Sequence, residues 1–291
     1  MNATRLVRFA ALATLVLAVA GCAGGCGSSS SGVTAPSIGA ASTYGFTSFS
    51  TGGPVTAGKP FTLSFKIHTP TGQIMKRFRT GPGPHTGVHL ILVRKDLANI
   101  VHLHPPHSPD GTITARVTLP KPGPYFVLVD VYPYSQGAQY TNFQLHQNLT
   151  AGGGEYVPEK LPPYNPVVHV DGYTYRVVGG VPPLHVSQPA LINVRVTTPD
   201  GKPAPLTPWF GALGHAIFFR KGNLAYFHTH ICSPKLKGCT SLVGKTIPGA
   251  TGAPGKLVVG VLMPQAGTWR LFLQSKVNGH VLTAPFTLTV H

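Results

Sequence analysis

Imidazole is a ligand for Zn(II) and Cu(II), and six of the 14 histidines in this 291-residue chain fall into a repeated spacing. HAIFFRKGNLAYFHTH runs from His215 to His230, and HLILVRKDLANIVHLH runs from His89 to His104. In each stretch a first histidine is followed thirteen residues later by a second, and two residues on by a third. Side chains alternate across a strand, so His228 and His230 share a face, as do His102 and His104. An odd separation sets two residues opposite each other across a two- or four-residue hairpin loop. A turn centred between Lys221 and Gly222 puts His215 opposite His228, and one centred between Gly222 and Asn223 puts it opposite His230. Either register keeps all three on one face, whereas a three-residue loop would not. The same arithmetic applies to His89, His102 and His104 about Lys95 and Asp96. Opposed Cβ atoms lie about 4.5–5.5 Å apart and i,i+2 neighbours roughly 6.5–7 Å, so three imidazoles can converge on one ion with bonds of about 2.0–2.1 Å.

Two readings of these histidines stand side by side. As ligands, they hold an ion that is released as pH falls through the histidine range, since protonated imidazole cannot ligate. As structural residues, they are half-buried strand histidines bonded to backbone and copied with the rest of a repeat. His85 and His107 flank the first cluster. His85 is a candidate extra ligand, and His107, within HPPHSPDG, reads as a solvated loop residue. Met75 and Met263 are too few for a thioether-rich Cu(I) carrier, which leaves Cu(II) or Zn(II). Enzymatic readings lack residues. The seven acidic residues are Asp96, Asp110, Asp130, Glu155, Glu159, Asp171 and Asp200, and no two form an evident acid/base pair. The chain contains no G-x-S-x-G elbow, H-E-x-x-H helix or Walker loop.

The elements that position the histidines are themselves repeated. KPFTLSFKIHTPTG matches QPALINVRVTTPDG at an offset of 129, the hairpins match at 126, and PKPGPYFVLVDV matches PQAGTWRLFLQS at 144, with Pro120, Gly123 and Tyr125 over Pro264, Gly267 and Trp269. Three blocks in the same order mean a tandem duplication. The second copy reads as seven short strands, YTYRVV, ALINVRVTT, GHAIFFR, LAYFHTH, KLVVGVLM, TWRLFLQSK and FTLTV, joined by Gly/Pro turns. That pattern predicts an all-β fold of two tandem immunoglobulin-like β-sandwiches, with a small barrel as the alternative. With 35 Gly, 29 Pro and no sustained helical period, an α/β enzyme fold is disfavoured. The expected organisation is a lipoprotein signal peptide over residues 1–21, a flexible Gly/Ser-rich tether over 22–43, sandwich A over 44–150, a Pro/Gly-rich linker over 151–166 and sandwich B over 167–291.

The ends and the charge fix the expected setting. Arg5 and Arg8 precede a short apolar run, and Val19-Ala20-Gly21-Cys22 resembles the lipobox of bacterial lipoproteins, with Cys22 carrying the lipid. An ordinary signal peptide or an uncleaved anchor is the alternative. Lys and Arg number 23 against 7 acidic residues, and losing Arg5 and Arg8 with the leader lowers the formal net charge from +16 to +14. Such a surface attracts anionic lipid or envelope polymers. Nucleic acid is excluded as a partner by export and by basic residues scattered rather than clustered with aromatics. Cys26 lies in the tether as an idle thiol. Cys232 and Cys239 flank a short loop and are expected to form a disulfide in an oxidising compartment, with soft metal ligation beside His230 as the other reading.

The blocks HLILVRKDLANIVHLHP, LPKPGPYFVLVDV, GALGHAIFFRKGNLAYFHTH and TWRLFLQSKVNGHVLTAPFTLTV resemble a family of secreted bacterial proteins. Its members share a histidine hairpin followed by a proline-glycine-aromatic strand, and some are linked to heavy-metal handling. The likeness covers most of residues 55–291. A weaker likeness is to exported immunoglobulin-like copper proteins of the CopC and YtkA-like type. It implies compartment and sandwich class only, because their N-terminal histidine ligand has no counterpart beside a lipid-blocked Cys22. The resulting expectation is a non-enzymatic, lipid-anchored protein on the extracytoplasmic face of the membrane. It would bind copper or zinc through His89, His102, His104, His215, His228 and His230, for buffering or for delivery to a metal transporter or another envelope protein. The rival expectation is an envelope interaction protein with structural histidines and a basic docking surface.

Overall fold

The computed structural model describes residues 44–134, 142–233, 235–239 and 253–291. The leader, the tether and Cys22 lie outside the described residues. The described chain is all-β, with no helix among those residues. The first copy contains β1 (Gly45–Ser50), β2 (Pro60–His68), β3 (Val88–Arg94), β4 (Ile100–Leu103), β5 (Ile113–Thr118), β6 (Gly123–Val131) and β7 (Phe143–Ala151). They form a sheet in the order β1-β2-β5 and a second in the order β4-β3-β6-β7. The second copy contains β8 (Val167–Val170), β9 (Tyr173–Val177), β10 (Ala190–Thr197), β11 (Leu206–Thr207), β12 (Gly214–Arg220), β13 (Tyr226–Ile231), β14 (Lys256–Val261), β15 (Gly267–Val277) and β16 (His280–Val290). Its sheets repeat the plan: β14-β10-β9-β8, and β13-β12-β15 with β16 paired along the other edge of β15. Beyond the seven strands read from the sequence, β8 extends one sheet and the two-residue β11 pairs with β15.

Each copy is an immunoglobulin-like sandwich closed by an aromatic corner. Tyr125, at the start of β6, donates its hydroxyl hydrogen to Lys121 O at 2.9 Å, the tyrosine corner of such sandwiches. At the matching position Trp269 Nε1 donates to Gln265 O at 3.0 Å, so a different ring makes the same four-residue closure. Just before each ring, Gly123 and Gly267 hold φ of 123° and 120°, a conformation that glycine adopts without steric cost. At Gly123 a Cβ would also meet the Tyr156 ring at 2.3 Å.

Alternation divides the central strands between two cores. Leu90, Leu92, Val127 and Val129 enter the first sandwich's core, and Ala216, Phe218, Leu271 and Leu273 enter the second's. The opposite faces of the same strands supply Ile91, Val93 and Leu128 from one copy and Ile217, Phe219 and Phe272 from the other to a third buried cluster. The two copies therefore pack sheet against sheet, and β3 is buried at every position. A sheet covered on both faces reads as a continuous apolar run rather than an alternation, which is why LILV and AIFF are uninterrupted.

The segment joining the copies helps hold them together. Arg94, buried at the end of β3, donates to Glu159 Oε1 and to Val157 O, both at 2.8 Å, and Glu159 N donates to Asp96 Oδ2 at 2.9 Å. Leu161 then packs against the cluster between the sandwiches.

Candidate metal centre

Both histidine hairpins close with a four-residue loop. Arg94 N donates to Asn99 O and Arg220 N to Ala225 O, each at 2.9 Å. Asp96 Oδ1 accepts from Ala98 N at 3.2 Å, and Asn223 Oδ1 from Ala225 N at 3.1 Å, local turn bonds of the Asx kind. In the second hairpin the register pairs His215 with His230 and Ile217 with His228. In the first it pairs Leu90 with Leu103 and Ile91 with His102, which brings the rings of His89 and His104 to 3.8 Å between centroids. Of the two registers the spacing allows, the structure takes the one centred between Gly222 and Asn223, and its equivalent between Asp96 and Leu97.

All six histidines lie on the faces that meet between the copies. His89, His102, His215, His228 and His230 are no more than 5 % exposed, and His104 is half-buried. Ring centroids of His102 and His215 lie 5.1 Å apart, those of His102 and His228 5.4 Å, and those of His89 and His228 5.5 Å. A seventh ring joins them, with His85 Nε2 3.2 Å from His230 Nδ1. Instead of one cluster per copy there is a single assembly of imidazoles. His107 lies apart, exposed, against the ring of Phe78.

The loop carrying His85 is wedged into the second copy by glycine. A Cβ on Gly83 would lie 2.1 Å from Gly238 O, and one on Gly211 would lie 2.4 Å from Gly83 C. Gly238 belongs to the loop closed by the Cys232–Cys239 disulfide, so these two sulfurs are joined to each other and are not ligands.

Hydrogen bonds fix several of the imidazole tautomers. His89 Nε2 donates to Pro84 O at 2.8 Å, and His215 Nε2 donates to Trp209 O at 3.0 Å, because a carbonyl only accepts. Gln274 Nε2 donates to Thr283 Oγ1, which turns its Oε1 toward His102 Nδ1 at 3.0 Å. Such outer partners hold metal-binding histidines in one tautomer and orientation. Among the described residues, His89 Nδ1, His228 Nδ1 and His230 Nε2 are buried without a hydrogen-bond partner, a costly arrangement unless another group meets them.

Burial dominates the electrostatics. Desolvation pushes His85 and His215 down to about 4 and holds His89, His102, His104, His228 and His230 well below the ordinary histidine value, with neighbouring histidines adding repulsion to these five. The rings are therefore neutral at neutral pH, the form in which an imidazole can ligate. Opposite His89 in β6 lies Asp130, whose carboxyl burial raises to about 6 although Gln144, Asn142, Tyr226 and Tyr132 all donate to it. Its counterpart opposite His215 is Gln274.

The donor set fits a transition metal. Three histidine sets, His89/His102/His228, His102/His104/His215 and His215/His228/His230, each place one ring nitrogen per residue within 4.8 Å of the others. The pairs His102 Nε2–His104 Nε2 and His215 Nδ1–His228 Nε2 lie 3.1 and 3.3 Å apart, within hydrogen-bonding distance. The sequence reading missed the joining of the two clusters. Its available signal was the uninterrupted apolar run inside each hairpin, which requires a partner on the histidine face.

Fold and site together define a protein of two immunoglobulin-like sandwiches that bury a shared histidine centre between them. Residues 168–291, the second copy, match the model of a domain of unknown function, DUF8832. That match coincides with the second half of the family likeness drawn from the sequence and carries no metal-handling role. No curated protein matches the chain. Among solved structures, the chain is similar to the Escherichia coli adhesin FdeC at 16 % identity and a TM-score of 0.26, covering 86 % of this chain and 64 % of that one. It is similar to the fibronectin(III)-like modules of Clostridium thermocellum CbhA at 10 % identity and a TM-score of 0.21, covering 85 % and 92 %. It is also similar to invasin, a bacterial integrin-binding protein, at 12 % identity and a TM-score of 0.23, covering 84 % and 39 %. The chain thus spans less than two thirds of the adhesin and of invasin. The sandwich fold of each copy is defined by its strand pairing and aromatic corner.

Proposed function

We propose that this protein is a lipid-anchored, extracytoplasmic binder of a divalent transition metal, copper in preference to zinc, that buffers the ion or delivers it to a transporter or another envelope protein. The observation that carries this reading is the convergence of six imidazoles, with His89 Nδ1, His228 Nδ1 and His230 Nε2 buried and unpartnered among the described residues. A purely structural role would favour satisfying each of these nitrogens with a carbonyl or hydroxyl. The function is binding rather than turnover. Membrane attachment would come from a lipid on Cys22, with the basic chain drawn to anionic headgroups; an unmodified N-terminus elsewhere in the mature protein, found by mass spectrometry, would remove that part.

The test of binding uses the untagged mature chain, because a histidine tag competes for the ion. Metal content after purification and competitive titration with Cu(II) and Zn(II) should give a dissociation constant well below about 10 µM, the strength of adventitious surface histidines on an order-of-magnitude view. Binding no tighter than that defeats the reading. A second reading, an envelope interaction protein with structural histidines, is favoured by the formal net charge of +16. It expects salt-sensitive binding to anionic vesicles and a stability unchanged by added metal.

A further inference from the structure

The second copy alone supplies one of the three histidine sets, His215, His228 and His230. The hydrogen-bond relays favour another. His215 Nε2 carries the hydrogen given to Trp209 O, so His215 Nδ1 is a lone pair and accepts from His228 Nε2 at 3.3 Å. That leaves His228 Nδ1 as a lone pair, and it has no partner among the described residues. His89 Nε2 is committed to Pro84 O, so His89 Nδ1 is likewise a lone pair without a partner. His102 Nδ1 is committed to Gln274 Oε1, which leaves His102 Nε2 facing His104 Nε2 at 3.1 Å. Three oxygens, Pro84 O, Gln274 Oε1 and Trp209 O, thus set the tautomers of His89, His102 and His228. These histidines form one of the three converging sets, and all three are buried.

We infer that the ion is held by His89 and His102 of the first copy and His228 of the second, and that it fastens the two sandwiches to each other. The inference rests on the metal-binding reading above and goes further in placing the ion across the interface rather than in one repeat. It also fixes the capacity. His102 and His215 each have one ring nitrogen committed to an oxygen, so each offers a single lone pair, and a neutral His228 likewise has one. Any two of the three sets share one of these residues, so neutral imidazoles allow one three-ligand ion at a time among them. Occupying His215/His228/His230 would first require breaking the His215–His228 bond, whereas the bridging set asks only that His104 turn from His102.

The experiment compares variants of the full untagged mature chain by competitive Zn(II) titration, with folding checked by thermal unfolding. Losing an outer partner of a metal ligand costs about 10–100-fold in affinity, so His89→Ala and His102→Ala should each cost at least roughly 100-fold. His230→Ala should change affinity less than about threefold, and Gln274→Leu should fall in the outer-partner range. His228→Ala is not diagnostic because His228 belongs to two sets. If the alanine variants fail to fold, His89→Gln and His102→Gln keep the polarity of the site, and the zinc anomalous peak in crystals of the unaltered protein places the ion directly. A peak on His89, His102 and His228 is the expected result. A peak on His215, His228 and His230, or full affinity in the His89 and His102 variants with loss in His230→Ala, overturns the inference and leaves metal binding intact. Binding of neither Cu(II) nor Zn(II) by the unaltered chain defeats the metal-binding reading itself.

Discussion

The two hairpins share spacing, loop length and register, yet they do not build the same site. In the second copy His215 and His230 meet edge-on, with ring planes at 88°, and with His228 they form a converging set. In the first copy His89 and His104 stack at 21°, and His104 also stacks on Phe210 of the second copy at 6°. That sandwich turns the ring faces of His89 and His104 toward each other, and among the described residues His89, His102 and His104 are not one of the converging sets. The cross-strand neighbours differ as well, with Asp130 opposite His89 and Gln274 opposite His215. The comparison teaches that a duplicated backbone fixes where imidazoles stand, while the residues flanking it decide which of them can act together. The copies diverged at those flanks, and the product is one asymmetric centre rather than two equal ones.

Acid should abolish the distinction between the copies altogether, and this is the largest effect expected. A histidine whose folded value is depressed contributes stability that is whole above the unfolded value of about 6.5 and is lost as pH falls toward the folded value. Here the window runs from about 6.5 down to about 4 for His85 and His215, and burial likewise holds the other five well below the ordinary histidine value. For His215 alone the loss between pH 6.5 and 5 is about 2 kcal/mol, and the other buried histidines add to it in the same direction. Chemical denaturation followed across that range should show stability falling steeply, with any bound ion released together with unfolding. A flat profile between pH 6.5 and 5 would mean that the rings are solvated and the centre is not buried.

Next in size are substitutions between the sandwiches. Phe219 and Val93 occupy equivalent positions in the two copies, and both belong to the shared cluster. Phe219→Ala should cost about 3–5 kcal/mol, and Val93→Ala about 2–3 kcal/mol from two lost methyl groups and the space they leave. Either should destabilise both copies in one transition, and two separate transitions would show that the sandwiches are not energetically joined.

The smallest effect sharpens the Asp130/Gln274 contrast. The Asp130 carboxyl is raised to about 6 by burial, so its contribution is whole below the unfolded value and lost as pH rises through about 6. Asp130→Asn should therefore become more favourable relative to the unaltered protein by about 2–3 kcal/mol between pH 4 and 8. Gln274→Leu should show no such titration. Parallel pH profiles for the two variants would remove the electrostatic difference between the copies.

The sandwich fold was legible because its signals are local. Turn residues, strand-length apolar segments and three repeated blocks report on neighbours close in sequence, whereas the corner that Tyr125 and Trp269 close in each copy is seen only in the folded chain. The hairpin faces were legible too, since parity alone places His228 with His230. The meeting of the two clusters was not, because it depends on which face of each sandwich is left to bury against the other. The positions of His85 and Phe210 were hidden for the same reason: they sit on loops of one copy and act on histidines of the other. Asp130 was visible as an acidic residue, but its place opposite His89 needed the pairing of β3 with β6.

The central claim is that two copies of one hairpin build a single metal centre, and its most direct test is a count. Native mass spectrometry of the untagged mature chain, titrated with Zn(II) at neutral pH, should saturate at one ion per chain. Saturation at two ions per chain would contradict the account by showing one independent site in each copy.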